Sequence, residues 1–223
     1  MIKIGFVGAY DKTDIILYIA KIISLIGKKV LVIDSTINQK AKYVVPVINP
    51  TKSYITEFEG MDIAVGFNNL QQIQEYLGTE DKKIDYDIVL IDIYGMKEAN
   101  KNYFVTSFDL YSLKRGIEIL DGLNETVKLK KVLFSKYASS EEDDYLNFLS
   151  LGHKIVWESE RIYFPFELGD QSVIIENQII SKIKVKRLSN QFRESLLYMA
   201  EEIVAPEDKG KVKKAFKQLE KEV

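Results

Sequence analysis

The sequence predicts a three-layer α/β/α fold on a mostly parallel sheet. First, apolar runs that read as buried strands alternate with helix-period stripes almost throughout. Second, the chain opens strand–turn–helix–strand, which implies a right-handed βαβ unit. Third, the runs Val30–Asp34 and Asp87–Asp92 read as buried strands, and each ends in a carboxylate.

The elements follow in order. Residues 2–8 form a short apolar run ending in Gly8. Ile15, Ile16, Tyr18, Ile19, Ile22, Ile23 and Ile26 make a helical stripe over 13–27, with Gly27 as the stop. Residues 35–60 are irregular around Pro46 and Pro50, with a short strand near Tyr54–Phe58, and Met61–Val65 suits another strand. Asn68–Leu77 reads as a helix stopped by Gly78. Tyr103–Thr106 and Lys131–Tyr137 read as strands, followed by helices over Leu110–Leu120 and Glu141–Leu151. Lys154–Phe166 holds a strand and a turn near Pro165. Leu188–Ile203 is amphipathic, and a lysine-rich helix follows Pro206. The expected organisation is one domain over 1–206 and a C-terminal amphipathic helix over 207–223.

Bulk composition excludes several functions. The chain has 223 residues, 46% hydrophobic and 29% charged, enough for one substantial core. A net charge of −2 argues against a generally basic nucleic-acid binder. The absence of Cys removes disulfides, thiolate metal sites and Cys nucleophiles, and suits a reducing cytoplasm. No apolar run reaches the roughly 18 residues of a membrane span, and the N-terminus has no signal-peptide pattern. The single histidine, His153, argues against His-rich zinc sites and His-based triads.

Three segments carry candidate chemistry. A glycine-bearing loop, Gly8-Ala9-Tyr10-Asp11-Lys12-Thr13, leads from the first strand into a helix. Such a loop points backbone N–H groups into a small concavity, the helix N-terminus adds positive potential, Lys neutralises phosphate, and Thr ligates magnesium. Asp34 closes the second strand. The run Asp87–Asp92 followed by Gly95 has the form of a Walker B strand, whose carboxylate holds magnesium through water.

Together these segments resemble the ParA/MinD family of P-loop ATPases, whose Walker A motif is deviant. The likeness runs through Lys12-Thr13, Ala20–Asp34 with its Gly-Lys-Lys-Val-Leu-Val-Ile-Asp phrase, Gln39, and Asp87–Asp92 with Gly95. It covers the N-terminal half well and the remainder only in strand–helix order. The resemblance implies a P-loop NTPase-like fold and a homodimer that binds ATP and Mg2+. It implies cargo positioning or segregation, with a protein partner from a partition, secretion, conjugation or pilus system. Gly8–Asp14 would cradle the nucleotide, Thr13 and Asp92 would serve the metal, and Lys12 and Asp34 would serve catalysis.

Departures from the family's Lys-Gly-Gly-x-Gly-Lys-Thr loop all weaken nucleotide use. Val7 stands where the family has the lysine that reaches the partner's nucleotide, so a dimer here is not expected to be the usual nucleotide sandwich. Asp11 replaces the last glycine, Asp14 replaces a Thr, and Thr36 replaces the second carboxylate of Asp-x-Asp. A carboxylate about 4 Å from a phosphate charge costs about 1 kcal/mol in bulk water and about 4 at an effective dielectric of about 20. Asp11 has an internal alternative: pairing with Lys12 or capping the helix, so that the protein fills its own anion site. The rival to an ATPase is therefore a non-catalytic pseudo-ATPase scaffold that binds protein partners.

Two surface features are read conservatively. Lys182, Lys184, Lys186, Arg187 and Arg193 would suit a non-specific DNA patch, but read better as a lysine-guarded strand edge and helix start. Val212, Phe216, Leu219 and Val223 share one face of the last helix. That face reads as packing against the body or a partner rather than a membrane surface, because Glu220 and Glu222 dilute its positive charge.

Overall fold

The computed structural model describes residues 1–47, 52–78, 84–92 and 99–222. Pro50, Gly95 and Val223 lie outside the described residues. The strands are β1 (Ile2–Val7), β2 (Val30–Asp34), β3 (Tyr54–Phe58), β4 (Met61–Val65), β5 (Ile88–Asp92), β6 (Lys101–Ser107), β7 (Val127–Ser135) and β8 (Ile155–Pro165). They form a single eight-stranded sheet in the order β3-β4-β2-β5-β1-β6-β7-β8. Every pairing is parallel except β3 with β4, a hairpin at one edge.

The helices are α1 (Thr13–Ser24), α2 (Ala41–Val44), α3 (Leu70–Tyr76), α4 (Leu110–Leu120), α5 (Ser140–Leu149), α6 (Leu168–Ile180), α7 (Asn190–Ile203) and α8 (Lys209–Leu219). Side-chain alternation along each strand assigns them to layers. On β6, Tyr103 and Val105 join the core beneath α1, α7 and α8, whereas Phe104 joins that beneath α4 and α5. On β2, Val30 and Val32 face α1, and Leu31 and Ile33 face α3. The sheet is thus covered on both faces, and its central strands are apolar without alternation for that reason.

Local chemistry explains the helix starts. Asn69, Asp109, Ser139 and Ser189 each accept a backbone N–H in the first turn, and Ser139 with Glu142 forms a full capping box.

Helix α6 is not legible in the sequence, because its stripe is irregular and it begins just past Pro165. It is held by the buried Val173 and by Asn177, whose amide donates to the Lys184 carbonyl at 2.7 Å. The basic stretch 182–187 is the loop joining α6 to α7, so the expected strand edge there is corrected: α6 ends at Ser181 in a left-handed C-cap and the chain turns back. The last helix packs on α7 and α1, burying Val212, Ala215, Phe216 and Leu219. No described helix is long and apolar enough to cross a membrane.

Candidate functional site

The candidate residues converge where β1, β2 and β5 end side by side. Parallel register sets Asp34 of β2 directly against Asp92 of β5, and Phe6 of β1 lies on the other side of Asp92. A right-handed βαβ unit delivers the N-terminus of α1 to the same edge, the crevice where ligands of parallel sheets bind.

The loop between β1 and α1 depends on Gly8. Its φ is +127°, and a Cβ there would sit 2.1 Å from the Val105 carbonyl oxygen of β6. Val7, at the position of the family's signature lysine, is fully buried among Phe104, Leu113 and Ile117. It is a core residue and cannot reach a partner. Ala9 is partly exposed, and Tyr10 leans on Phe134 with ring centroids 4.6 Å apart. Burial, then Asp11, pushes the Tyr10 hydroxyl up to about 12.

Asp11 lies one residue before Lys12, the N-cap of α1, and meets one backbone N–H of the helix start. Its Oδ1 accepts the Thr13 backbone N–H at 3.1 Å. Its other oxygen pairs with Lys40 Nζ, which also pairs with Asp14 at 2.6 Å. Burial works against the Lys40 charge, but Asp14 and Asp11 outweigh it and raise its pKa. Gln178 of α6 donates to the second oxygen of Asp14 at 2.7 Å. One lysine from the β2–α2 loop and one amide from α6 therefore tie down the loop mouth.

Lys12 points inward. Its Nζ lies 2.7 Å from Asp92 Oδ1, with the two side chains 4% and 5% exposed, and it donates to the Gly8 carbonyl at 3.1 Å. Burial pushes the Asp92 carboxyl up to about 6; Lys12 offsets part of that rise, and Asp34 and Asp11 add to it. Thr13 is buried at the helix start.

Asp34 organises the loop that follows it. The Thr36 backbone N–H and hydroxyl donate to Oδ1 at 3.0 and 2.6 Å, and the Ala41 N–H donates to Oδ2 at 3.0 Å. Thr36 Oγ1 in turn accepts the Gln39 N–H at 3.1 Å. Both oxygens of Asp34 are thus committed within the chain.

As arranged, these residues do not fit a magnesium–triphosphate group. One N–H of the helix N-terminus already meets a carboxylate, the lysine is held by Asp92, and both oxygens of Asp34 accept from the loop. Among the described residues, no group of three or more His, Asp or Glu side chains is placed to hold a metal ion. Beside the loop lies a cavity of about 260 Å³ walled by Tyr10, Phe134, Phe166 and Ile175, with Asp11 and Asp14 at its rim.

Lys40 and Gln178 belong to no motif legible in the sequence. Lys40 follows the matched Gln39, so its proximity to the motif was visible. Its fold-back onto Asp11 was not, because sequence position alone does not show where a loop returns.

No family model matches the chain, and no curated protein matches it. Its structure is similar to a Cyanothece McdA variant in complex with ATP, at TM-score 0.57 and 13% identity, covering 91% of this chain and 96% of that one. It is also similar to a Borrelia burgdorferi protein given a plasmid partition role and bound to AMPPNP, at TM-score 0.56 and 11% identity over 91% and 99% of the two chains. MinD of Aquifex aeolicus, a cell division protein, aligns at TM-score 0.54 and 12% identity over 88% and 94%. At such identities the likeness is one of fold, and it spans nearly the whole of each chain. With the βαβ opening, the phosphate-type loop and the sheet order already described, the chain has the fold of the ParA/MinD-type P-loop ATPases.

Proposed function

We propose that this chain is a ParA/MinD-fold positioning protein whose nucleotide switch is silent, a non-catalytic scaffold that binds protein partners through its surfaces. The observation that carries this reading is the Asp11 carboxylate on the Thr13 N–H, at the place where such a loop receives phosphate. The buried Lys12–Asp92 pair supports it. Its expected cargo is that of its structural class, a plasmid or a secretion, conjugation or pilus complex.

A second reading, an atypical ATPase, is favoured by two observations. Lys12, Thr13, Asp34 and Asp92 still gather at one sheet edge, and two structural neighbours were solved with ATP or AMPPNP. A DNA role for Lys182–Arg193 has less support, since Lys182, Arg187 and Arg193 each already face a carboxylate.

Calorimetric titration with Mg-ATP separates the two readings. The scaffold predicts no measurable binding by the wild type. Asp11→Gly, which removes a charge about 4 Å from the phosphate position, should raise affinity between about fivefold and about a thousandfold. Tight magnesium-dependent binding by the wild type, lost in Lys12→Ala, would sink the scaffold reading.

A further inference from the structure

The cavity of about 260 Å³ beside the β1–α1 loop is walled by aromatic rings. Tyr10 and Phe134 contribute tilted rings with centroids 4.6 Å apart, and Phe166 and Phe192 add two more. Ile15, Ile174 and Ile175 complete the apolar lining. Phe134 stacks on Phe164 at 5.1 Å, and Phe164 meets Phe192 edge-on at 4.8 Å, so part of the wall belongs to a packed chain of rings. The volume falls just below the roughly 300–1,000 Å³ of drug-sized sites and suits a small ligand.

The polar part of the lining is unbalanced in charge. Asp11, Asp14 and Asp170 reach the cavity, and Lys40 is the one cation beside them. Lys40 is shared between Asp11 and Asp14, so it neutralises only one of the two. Their other partners are neutral: the Thr13 N–H on Asp11 and the Gln178 amide on Asp14. Asp170 is 2% exposed and accepts from Ser189, through its N–H at 2.6 Å and its hydroxyl at 2.8 Å. Two negative charges are therefore hydrogen-bonded without being compensated.

A carboxylate whose hydrogen bonds are satisfied by neutral groups still projects its field into a cavity of low dielectric. That field repels a phosphate or a carboxylate, and a hydrocarbon leaves it unanswered. A cation meets it, and the faces of Tyr10, Phe134 and Phe166 add cation–π attraction. The Tyr10 hydroxyl and the Gln171 amide oxygen, which have no partner among the described residues, are acceptors for an N–H donor in the same lining.

We infer that this cavity is a binding site for a small organic cation, an ammonium group carried on an aromatic or aliphatic body. The body lies among the rings, and the ammonium is held by the carboxylates. Such binding requires the cavity alone and holds whether or not the neighbouring loop acts as a switch.

Methyl NMR of the full chain tests it with three probes of one shape. Phenethylamine, phenethyl alcohol and phenylacetate are cationic, neutral and anionic at neutral pH. The amine should shift the methyl signals of Ile15, Ile174 and Ile175 saturably. The alcohol should bind about tenfold more weakly, and phenylacetate should not bind. Phe166→Ala, at a ring 45% exposed, and Asp14→Asn should each weaken the amine about tenfold. Lys40→Met, which removes the one cation, should tighten it about fivefold. That opposite sign separates recognition of charge from damage to the site, and unchanged methyl signals elsewhere show that each variant is folded. Equal affinity for amine and alcohol, shifts confined to other regions, or no saturable binding of the amine overturns the inference. So does displacement of the amine by Mg-ATP, which would assign the cavity to nucleotide and end the scaffold reading as well. Failure of the amine and Mg-ATP alike overturns the cation site alone.

Discussion

Replacing Lys12 by Met asks whether the buried pair at the loop serves the fold or waits for a ligand. At 2.7 Å, Lys12 and Asp92 attract by about 6 kcal/mol at an effective dielectric of about 20. Both side chains are almost fully buried, so most of that attraction offsets the loss of their hydration. The pair adds little net stability, but breaking it leaves an uncompensated charge inside. Lys12→Met should cost about 3–5 kcal/mol. Asp92→Asn should cost a comparable amount, and the double variant should cost at least about 2 kcal/mol less than the sum. Urea unfolding at two pH values supplies the measurement.

The sign of the pH effect is fixed by Asp92. Its native pKa, about 6, lies above the unfolded value of about 3.9, so the native state holds the proton more tightly. The stability from this group is fully present below about pH 4 and is lost as pH rises through about 6. Removing Lys12 pushes Asp92 higher still, so the penalty of Lys12→Met should be larger at pH 8 than at pH 5. A variant as stable as the wild type, or more stable, would refute the reasoning. Charges kept for an absent ligand are a source of strain, and removing them commonly stabilises a protein.

Two further outcomes are expected. Gly8→Ala should cost more than about 4 kcal/mol in the same unfolding assay, because φ of +127° and a Cβ 2.1 Å from the Val105 carbonyl cannot both be relieved without moving β6. Phe216→Ala should cost about 3–5 kcal/mol, since the ring is 3% exposed in the core shared with α1 and α7; a loss under about 1 kcal/mol would mean that α8 is a loosely attached tail.

Much of the frame was legible before any coordinates. Val30–Asp34 and Asp87–Asp92 read as buried strands because strands covered on both faces need no polar side chain, and both lie centrally in the sheet. The Asp11 contact with the helix start was legible as one of two alternatives, because a carboxylate before a helix has few other uses; the structure selects Thr13 N–H and Lys40 over Lys12 as its partners. Helix α6 was not legible. Its outer side carries Leu168, Ile175 and Ile179 where a solvent-facing helix would be polar, so its stripe does not stand out.

By itself, the sequence determined the fold class, the strand–helix order of the first half, and the presence of a glycine-bearing loop between the first strand and helix. These follow from short-range periodicity and from side-chain chemistry that needs no partner. Tertiary structure decided how the loop's charges are spent: Lys12 on Asp92, Asp11 and Asp14 on Lys40, and Asp34 on the segment after β2. The pairings of Lys12 and Lys40 join residues 26 to 80 positions apart and exist only because the fold brings the C-terminal ends of parallel strands together. Composition cannot show which charge reaches which, and in a buried site that choice separates a phosphate cradle from a closed internal salt bridge.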